Sequence, residues 1–263
     1  MSTLLLRVAA PLQSWGASSR FKKLTTEREP TKSGIVGLLA AALGRGRDDD
    51  IRDLAALRFG VRVDQPGTLM RDYHTVRHPD NDKLAFISER YYLCDAVFVV
   101  GLESDDEDLL EELATALQNP RFPLYLGRRS CPPSGQIFLG ISQLSLEDAL
   151  KNEEWHAQRW YKEKLYRQAQ RDARGDEIDL EIVMDAPFET AGAYTKRDMP
   201  FSLNQKHRKY GFRSLRGNIN GVTIKNPYWI KPSDAAQKAL LAKRETEHDP
   251  YLALEVSDVS FES

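Results

Sequence analysis

The chain has 263 residues, of which 41% are apolar and 29% charged, and its formal net charge is −2. This length and apolar content support a hydrophobic core in one large or two small domains, and the near-neutral charge excludes binding of nucleic acid through overall positive charge. Two cysteines, five histidines without a zinc spacing and no membrane-length apolar run predict a cytoplasmic, soluble protein with no disulfide, metal or other cofactor.

The first 46 residues predict a strand followed by a core helix. Residues 4–10 are an apolar run, and the helix begins at the sequence PTKSG (30–34) and ends near Gly44. Proline in the first turn and a Thr31 or Ser33 cap leave free amides beside Lys32, which suits an anion. The order of these residues differs from that of a nucleotide phosphate loop. Plain helix capping and contact with a phosphate therefore remain the two alternatives.

The next hundred residues predict a β α β β α β order. Further strands are expected at 59–64, 91–103 and 136–142, and a second helix at 105–117. The segment at 66–92 is too long for an ordinary turn between paired strands, so we expect a protruding arm. We therefore predict an α+β fold whose N-terminal domain, residues 1–143, is ferredoxin-like or similar to an RNA-recognition domain.

The remaining residues, 144–263, predict a smaller and less regular α/β region. Seven Lys or Arg residues against one Asp make 194–216 strongly basic. The expected elements are a charged helix at 145–172, a strand at 176–184, a basic hairpin at 194–216, and a tail with a helix at 233–243 and an alternating segment at 251–256.

The loop YLGRRSCPP at 125–133 combines turn-forming and cationic residues. Gly127 permits an unusual backbone turn, and the prolines that follow stiffen the exit. Arg128, Arg129 and Ser130 are then suited to phosphates or base edges. The alternative is a charged surface loop.

The arm carries residues that could hold single-stranded RNA. Tyr73 could stack on a base while Arg71, His74 and Arg77 contact the backbone, although Tyr73 could equally fix the arm to the protein body. A structural hydrogen bond is the stronger interpretation of His74. Elsewhere, Trp15 could cover the core or stack on a base.

Five short sequences occur in order within residues 1–142: LQSWG at 12–16, PTKSGIVGLL at 30–39, RDYHTV at 71–76, YLCDA at 92–96 and YLGRRSCP at 125–132. Together they resemble the family of CasD subunits of the type I-E CRISPR surveillance complex, Cascade, in the RAMP superfamily. Each sequence alone is a weak signal, but all five in this order are specific. Beyond residue 142 the likeness is limited to 194–200.

This resemblance implies a ferredoxin-like domain with an inserted β-hairpin thumb at about 66–92. It also implies a subunit that binds the 5′ handle of CRISPR RNA and caps one end of the filament of backbone subunits. There it would adjoin the large subunit and meet target DNA only indirectly. Because a different subunit cuts the precursor RNA in this subtype, the resemblance implies no catalysis.

We therefore predict a non-catalytic, RNA-binding subunit with no membrane contact. The rival hypothesis is a metal-independent endoribonuclease that uses Tyr73 and His74 with Lys32 or Lys83, and a third is a protein-only scaffold. The residues expected to contact RNA are Gln13, Ser14, Trp15, Lys32, Ser33, Arg71, Tyr73, His74, Arg77, Arg128, Arg129, Ser130, Lys196 and Arg197.

Overall fold

A computed structural model describes residues 1–16, 23–78, 81–172, 175–204, 206–217 and 221–229. The fold is α+β with a mostly antiparallel sheet, as predicted at that level. The tail elements predicted at 233–243 and 251–256 lie outside the described residues. In the part of the chain that the structure describes, no helix has the length and apolar character needed to cross a membrane.

The main sheet contains strands from both halves of the chain, in the order β11-β12-β10-β4-β7-β1-β8, and its neighbours are all antiparallel. The main sheet therefore contains strands from both sides of the predicted domain boundary at 143/144. That domain boundary stays a prediction. The strands are β1 Ser2–Ala9, β2 Leu12–Gln13, β3 Lys23–Leu24, β4 Arg58–Gln65, β5 Thr68–His78, β6 Asn81–Cys94, β7 Val97–Ser104, β8 Phe138–Ser142, β9 Glu177–Leu180, β10 Ile182–Asp185, β11 Tyr194–Ser202, β12 Lys209–Gly217 and β13 Val222–Lys225.

Helices cover both faces of the main sheet. Side chains alternate between the two faces of a strand, so Leu4 and Leu6 of β1 enter one apolar core while Leu5 enters another. The first core includes α1 and α3, and the second includes α4 with β10. The helices are α1 Lys32–Leu43, α2 Arg52–Ala56, α3 Glu107–Gln118, α4 Leu146–Asn152 and α5 Arg159–Arg171.

Strands β5 and β6 form a long antiparallel hairpin within the segment predicted to be an arm. Their register pairs Thr68 with Cys94 at one end and Arg77 with Ala85 toward the other. Strand β6 also pairs with β2 and β3, which anchors the base of the hairpin beside the exit of β1.

The single helix predicted at 145–172 is two helices, and that prediction was wrong. The side chain of Arg62, fully buried on β4, explains where α4 ends. Its guanidinium donates to the carbonyl oxygens of Leu150 and Glu153, both at 2.6 Å, and of Glu154 at 2.5 Å. It also pairs with the buried Asp64 at 2.7 Å. The last carbonyl groups of a helix have no partner within it, and Arg62 supplies a donor at and just beyond this end, which stabilises the termination of α4 here.

Two other predicted strands are interrupted. The strand expected at 91–103 breaks between β6 and β7, where Asp95 has φ 56° and its N–H donates to Pro11 O at 3.1 Å. The strand expected at 176–184 is divided into β9 and β10. The basic hairpin expected at 194–216 is confirmed as the antiparallel pair β11 and β12.

The chain divides into two compact units. The first comprises Met1–Tyr161 and Ile178–Ile224, and the second comprises Lys162–Glu177 and Lys225–Ser263. Within the second unit, Asn226 Nδ2 donates to Lys162 O at 2.9 Å, and the rings of Tyr166 and Trp229 meet edge to face at 5.8 Å.

Candidate nucleic-acid interface

The first turn of α1 is capped as predicted. Thr31 Oγ1 accepts a hydrogen bond from Gly34 N at 3.2 Å, and Gly44 ends the helix in the left-handed region at φ 80°. The amide of Lys32, however, donates to Asp198 Oδ2 at 3.0 Å. A carboxylate of the protein itself therefore lies at the helix start, where contact with an external phosphate was one of the two alternatives left by the sequence.

Lys32 belongs to a buried network of two cations and two carboxylates. Its Nζ lies 3.0 Å from Asp185, and Arg213 contacts Asp198 at 2.6 Å and Asp185 at 2.5 Å. Burial lowers the pKa of Lys32, and the charge of Asp185 opposes that shift. The guanidinium of Arg213 also lies 4.9 Å from the ring centre of Phe59. The Lys32 side chain thus links α1 to β10, and its backbone amide links α1 to β11. Arg213 joins β12 to the same two carboxylates, and the Lys32 side chain is not offered to a ligand.

The segment at 13–15 is mostly internal. Gln13 is buried, donates to Ala96 O at 2.7 Å and accepts from Trp15 Nε1 at 3.0 Å. Trp15 is 1% exposed, which agrees with its interpretation as a core residue. Ser14 donates to Tyr91 O at 3.2 Å. Gln13 and Trp15 therefore belong to the protein interior and support the surface around them.

Gly34 and Gly37 offer a test of this packing. A Cβ at Gly34 would lie 2.8 Å from the Trp15 ring, whereas a Cβ at Gly37 would meet nothing within 4 Å. We expect Gly34→Ala to lower the free energy of unfolding by about 1–3 kcal/mol through overpacking. Gly37→Ala, on the same helix, should raise it by up to about 1 kcal/mol. Urea unfolding of the two variants measures both free energies. Equal changes in the two variants would contradict the close packing of Gly34 against Trp15.

The turn that carries Arg128 and Arg129 is docked against Ser14. Ser14 N donates to Leu126 O at 3.1 Å, and Leu126 N donates to Cys131 O at 2.7 Å. Gly127 has φ 85°, and a Cβ there would lie 1.7 Å from Ser14 O, so glycine is required. The unusual turn predicted at Gly127 is confirmed.

The two arginines of this turn point to different places. Arg128 lies 4.6 Å over the ring of Tyr92 and donates to Leu24 O at 2.8 Å, so its guanidinium packs within the protein. Arg129 is exposed and lines a cleft, and it makes no hydrogen bond or ion pair with the described residues. Ser130 is exposed beside it. Of the two cations, only Arg129 is directed to solvent.

The hairpin presents its predicted residues on two faces. Arg71, Tyr73 and Arg77 are exposed and share one face of β5, with the Arg71 guanidinium 4.7 Å from the Tyr73 ring centre. His74 lies on the other face and pairs with Asp72. The cationic face of the hairpin and the histidine are therefore separated by the strand.

The cations of the basic hairpin β11–β12 are less accessible to an external ligand than the composition of the hairpin suggests. Lys196 Nζ lies 2.6 Å from Glu29 and 3.4 Å from Glu27. Burial acts to lower the pKa of Lys196, but these carboxylates together raise it above its usual range. Arg197 is exposed and its Nε reaches Tyr210 O at 3.5 Å. Arg197 is therefore the more accessible of the two.

A cleft of about 810 Å³ lies between α1, the loop after α3 and the start of β12. It brings together four of the predicted residues, Ser14, Trp15, Ser33 and Arg129, but not the hairpin residues. Its rim adds cationic and aromatic residues that sequence reasoning left out of the predicted site: Arg45, Arg47, Phe122, Tyr125, Arg208 and Tyr210. Arg45 is held by both oxygens of Asp53 at 2.6 Å. Three of these residues had a sequence signal, since Arg208 and Tyr210 lie in the basic stretch at 194–216 and Tyr125 begins the loop at 125–133.

Comparison with known proteins identifies the family of this chain. The family model described as CRISPR-associated protein (Cas_Cas5) matches residues 3–216, a span that includes every segment lining the cleft. The chain belongs to the Cas5 family. The Cascade subunit CasD of Escherichia coli strain K12 is 40% identical over 163 residues, which are 55% of this chain and 73% of that protein.

Two solved structures extend the likeness over more of the chain. A Cas protein seen by crystallography is 39% identical with a TM-score of 0.62, over 85% of this chain and 95% of that one. A chain of a CRISPR RNA-guided surveillance complex is 26% identical with a TM-score of 0.65, over 92% of this chain and 99% of that one. Among the described residues, no group of three or more His, Cys, Asp or Glu side chains is placed to hold a metal ion.

Proposed function

We propose that this chain is a non-catalytic, RNA-binding subunit of a type I-E CRISPR surveillance complex that binds the 5′ handle of the CRISPR RNA. The cleft is the observation that carries the proposal, because its rim combines arginines with aromatic side chains in a family whose E. coli relative is a Cascade subunit. Cations that hold phosphates and aromatic rings that stack on bases are the usual means of holding single-stranded RNA.

The RNA contacts come from the accessible members of the predicted set. Arg129, Ser130 and Ser33 lie at or beside the cleft, and Arg71, Tyr73 and Arg77 share the exposed face of the hairpin. Arg197 is exposed on β11. His74 lies on the opposite face of the β5–β6 hairpin and contacts RNA from that side. The buried Gln13, Trp15 and Lys32, together with Ser14, Arg128 and Lys196, hold the walls in position.

A ferredoxin-like domain with an inserted thumb is part of this proposal. The order β4-β7-β1-β8 with α1 and α3 against one face supports the ferredoxin-like interpretation, and the β5–β6 hairpin is the candidate thumb. In the assembled complex, the subunit caps the filament of backbone subunits, adjoins the large subunit and meets target DNA only indirectly. We expect the complex to work in the cytoplasm.

The rival endoribonuclease is less well supported by the geometry. A general base and its partners need to reach one reacting group within hydrogen-bond distance. Tyr73 and His74 lie on opposite faces of β5, and Lys32 is buried against Asp185. Incubation of the full chain with precursor repeat RNA in EDTA separates the hypotheses, and site-specific cleavage that His74→Ala abolishes would support the enzyme.

Arginine variants test where the RNA lies. We expect Arg129→Ala and Arg208→Ala to weaken binding of the organism's own CRISPR repeat RNA and each to reduce the salt dependence of binding by about 0.7 in the log–log slope. Arg128→Ala should leave that slope unchanged, since its guanidinium is engaged by Tyr92 and Leu24. Filter binding at several salt concentrations measures both quantities.

The control is Arg52→Ala, because Arg52 is highly exposed, pairs only with Asp50 among the described residues and does not line the cleft. Its binding constant and slope should match those of the original chain. Repeat RNA that binds no better than mixed-sequence RNA of equal length, with and without the backbone subunit, would refute the proposed function.

A further inference from the structure

The floor of the cleft is bare helix backbone. Gly37 lies midway along α1 and lines the cleft, and a Cβ built on it meets nothing within 4 Å. Ala41, one turn later, continues the same side of the helix toward the cleft. This part of the helix surface is therefore open, and a side chain at position 37 would project into the space above it.

The loop after α3 fixes one wall at a set distance from this floor. Arg121 N donates to Ala42 O at 2.9 Å, and Phe122 N donates to Ala41 O at 3.2 Å. These bonds use carbonyl groups in the last turn of α1, where the regular intrahelical pattern ends, and Ala41 O also accepts from Gly44 N at 3.1 Å. Phe122 and Tyr125 are thereby held beside the floor, and Tyr210 lines the cleft from β12.

Two arginines at the rim are uncommitted within the described part of the chain. Arg129 and Arg208 are exposed, line the cleft and make no hydrogen bond or ion pair with described residues. By contrast, Arg45 at the same rim is held by Asp53. The cleft therefore offers exposed helix backbone, aromatic walls and two cations that no described residue neutralises. Its volume of about 810 Å³ falls in the range of roughly 300–1,000 Å³ typical of small-ligand sites.

We propose that the cleft receives one unstacked nucleotide of the bound RNA, with its base on the Gly37 face of α1 and its phosphate between Arg129 and Arg208. This inference rests on the proposed function and deepens it, because it makes the Gly37 face of α1 the surface that receives a base. A base has a flat face that fits bare backbone and aromatic walls. The phosphate of the nucleotide supplies the negative charge that balances the two arginines. An acidic peptide would satisfy the arginines but leaves the bare backbone at Gly37 and the aromatic walls unexplained.

The test combines a protein variant with a chemical change in the RNA. The RNA is the organism's own CRISPR repeat, made as a set in which one position at a time lacks its base. For the original chain, loss of the base at one handle position should weaken binding about tenfold, since stacking of one base contributes about 5- to 150-fold. Gly37→Gln should weaken binding of the intact RNA by a similar factor. The two losses should not multiply, because both remove the same contact.

Three further variants control for folding and charge. Gly140→Gln places the same side chain at another glycine with open space around it, in β8, and should bind like the original chain. Gly37→Ala should lose less than Gly37→Gln, and Gly37→Glu should lose more because it adds a carboxylate near the phosphate. Thermal unfolding should show no loss of stability in any Gly37 variant, since glycine is the poorest of these residues in a helix.

The outcomes separate this inference from the proposed function. If the original chain does not prefer repeat RNA, both fail. If it does, but Gly37→Gln binds the intact RNA equally well, only the nucleotide site is refuted. Gly37→Gln that binds RNA normally yet fails to assemble with the backbone subunit would assign the cleft to a protein segment and overturn the inference. Losses that multiply at every abasic position would also overturn it.

Discussion

Arg62→Leu is expected to lower the free energy of unfolding by about 3–5 kcal/mol, because it leaves the carboxylate of Asp64 buried without its cation. Both side chains are completely buried in the native fold. The substitution also removes the donor for three carbonyl groups at and beyond the end of α4, those of Leu150, Glu153 and Glu154. Urea unfolding followed by circular dichroism measures the change.

Two comparisons sharpen this result. Arg52→Leu, at a highly exposed arginine, should stay within about 0.5 kcal/mol of the original chain. The double variant Arg62→Leu with Asp64→Leu should recover part of the loss, since no buried charge remains. A loss below about 1 kcal/mol in the single variant would mean that Arg62 does not hold α4 in place.

Arg213→Leu is the second substitution with a large expected effect, again about 3–5 kcal/mol. It leaves the side chain of Asp198 fully buried and Asp185 with Lys32 as its single cation in the described network. Because Asp198 also accepts from the first amide of α1, the start of that helix should shift. We therefore expect RNA binding to fall even at temperatures where the variant stays folded.

Arg216→Leu provides the matched control on the same strand. Arg216 is partly exposed and pairs with Glu147 at 3.0 Å, so its loss should cost at most about 1 kcal/mol. In the folded Arg213→Leu variant, the salt dependence of RNA binding should be unchanged, because Arg213 contacts no phosphate in the proposed complex. A lower slope would instead make Arg213 a direct RNA contact.

Local signals were sufficient for the parts of the site that depend on neighbouring residues. The cap at Thr31, the left-handed end of α1 at Gly44 and the turn at Gly127 each follow from the backbone preferences of one or two residue types. The hairpin β11–β12 likewise follows from a short-range pattern. These features were predictable from the sequence.

The partners of charged residues were not predictable, since they come from distant parts of the chain. Arg128 and Arg129 are adjacent and chemically identical, and only the placement of Tyr92 and Leu24 separates their roles. Lys32 looked available because Asp185 and Asp198 lie far along the sequence. The break after α4 depends on Arg62, 88 residues before the carbonyl of Leu150 that it binds. No local sequence pattern predicts contacts between charged residues that are this far apart along the chain.

The tie between α1 and the C-terminal strands also sets when the protein can finish folding during synthesis. Lys32 and Asp198 are 166 residues apart, and β4 gains its outer neighbour only when β10 has left the ribosome. Until then, the nascent chain has an unpaired strand edge at β4 and a lysine without the carboxylates that balance its charge. Such intermediates are prone to aggregation. The nascent subunit should therefore depend on chaperones until its basic hairpin emerges, even though its N-terminal half contains most of the core.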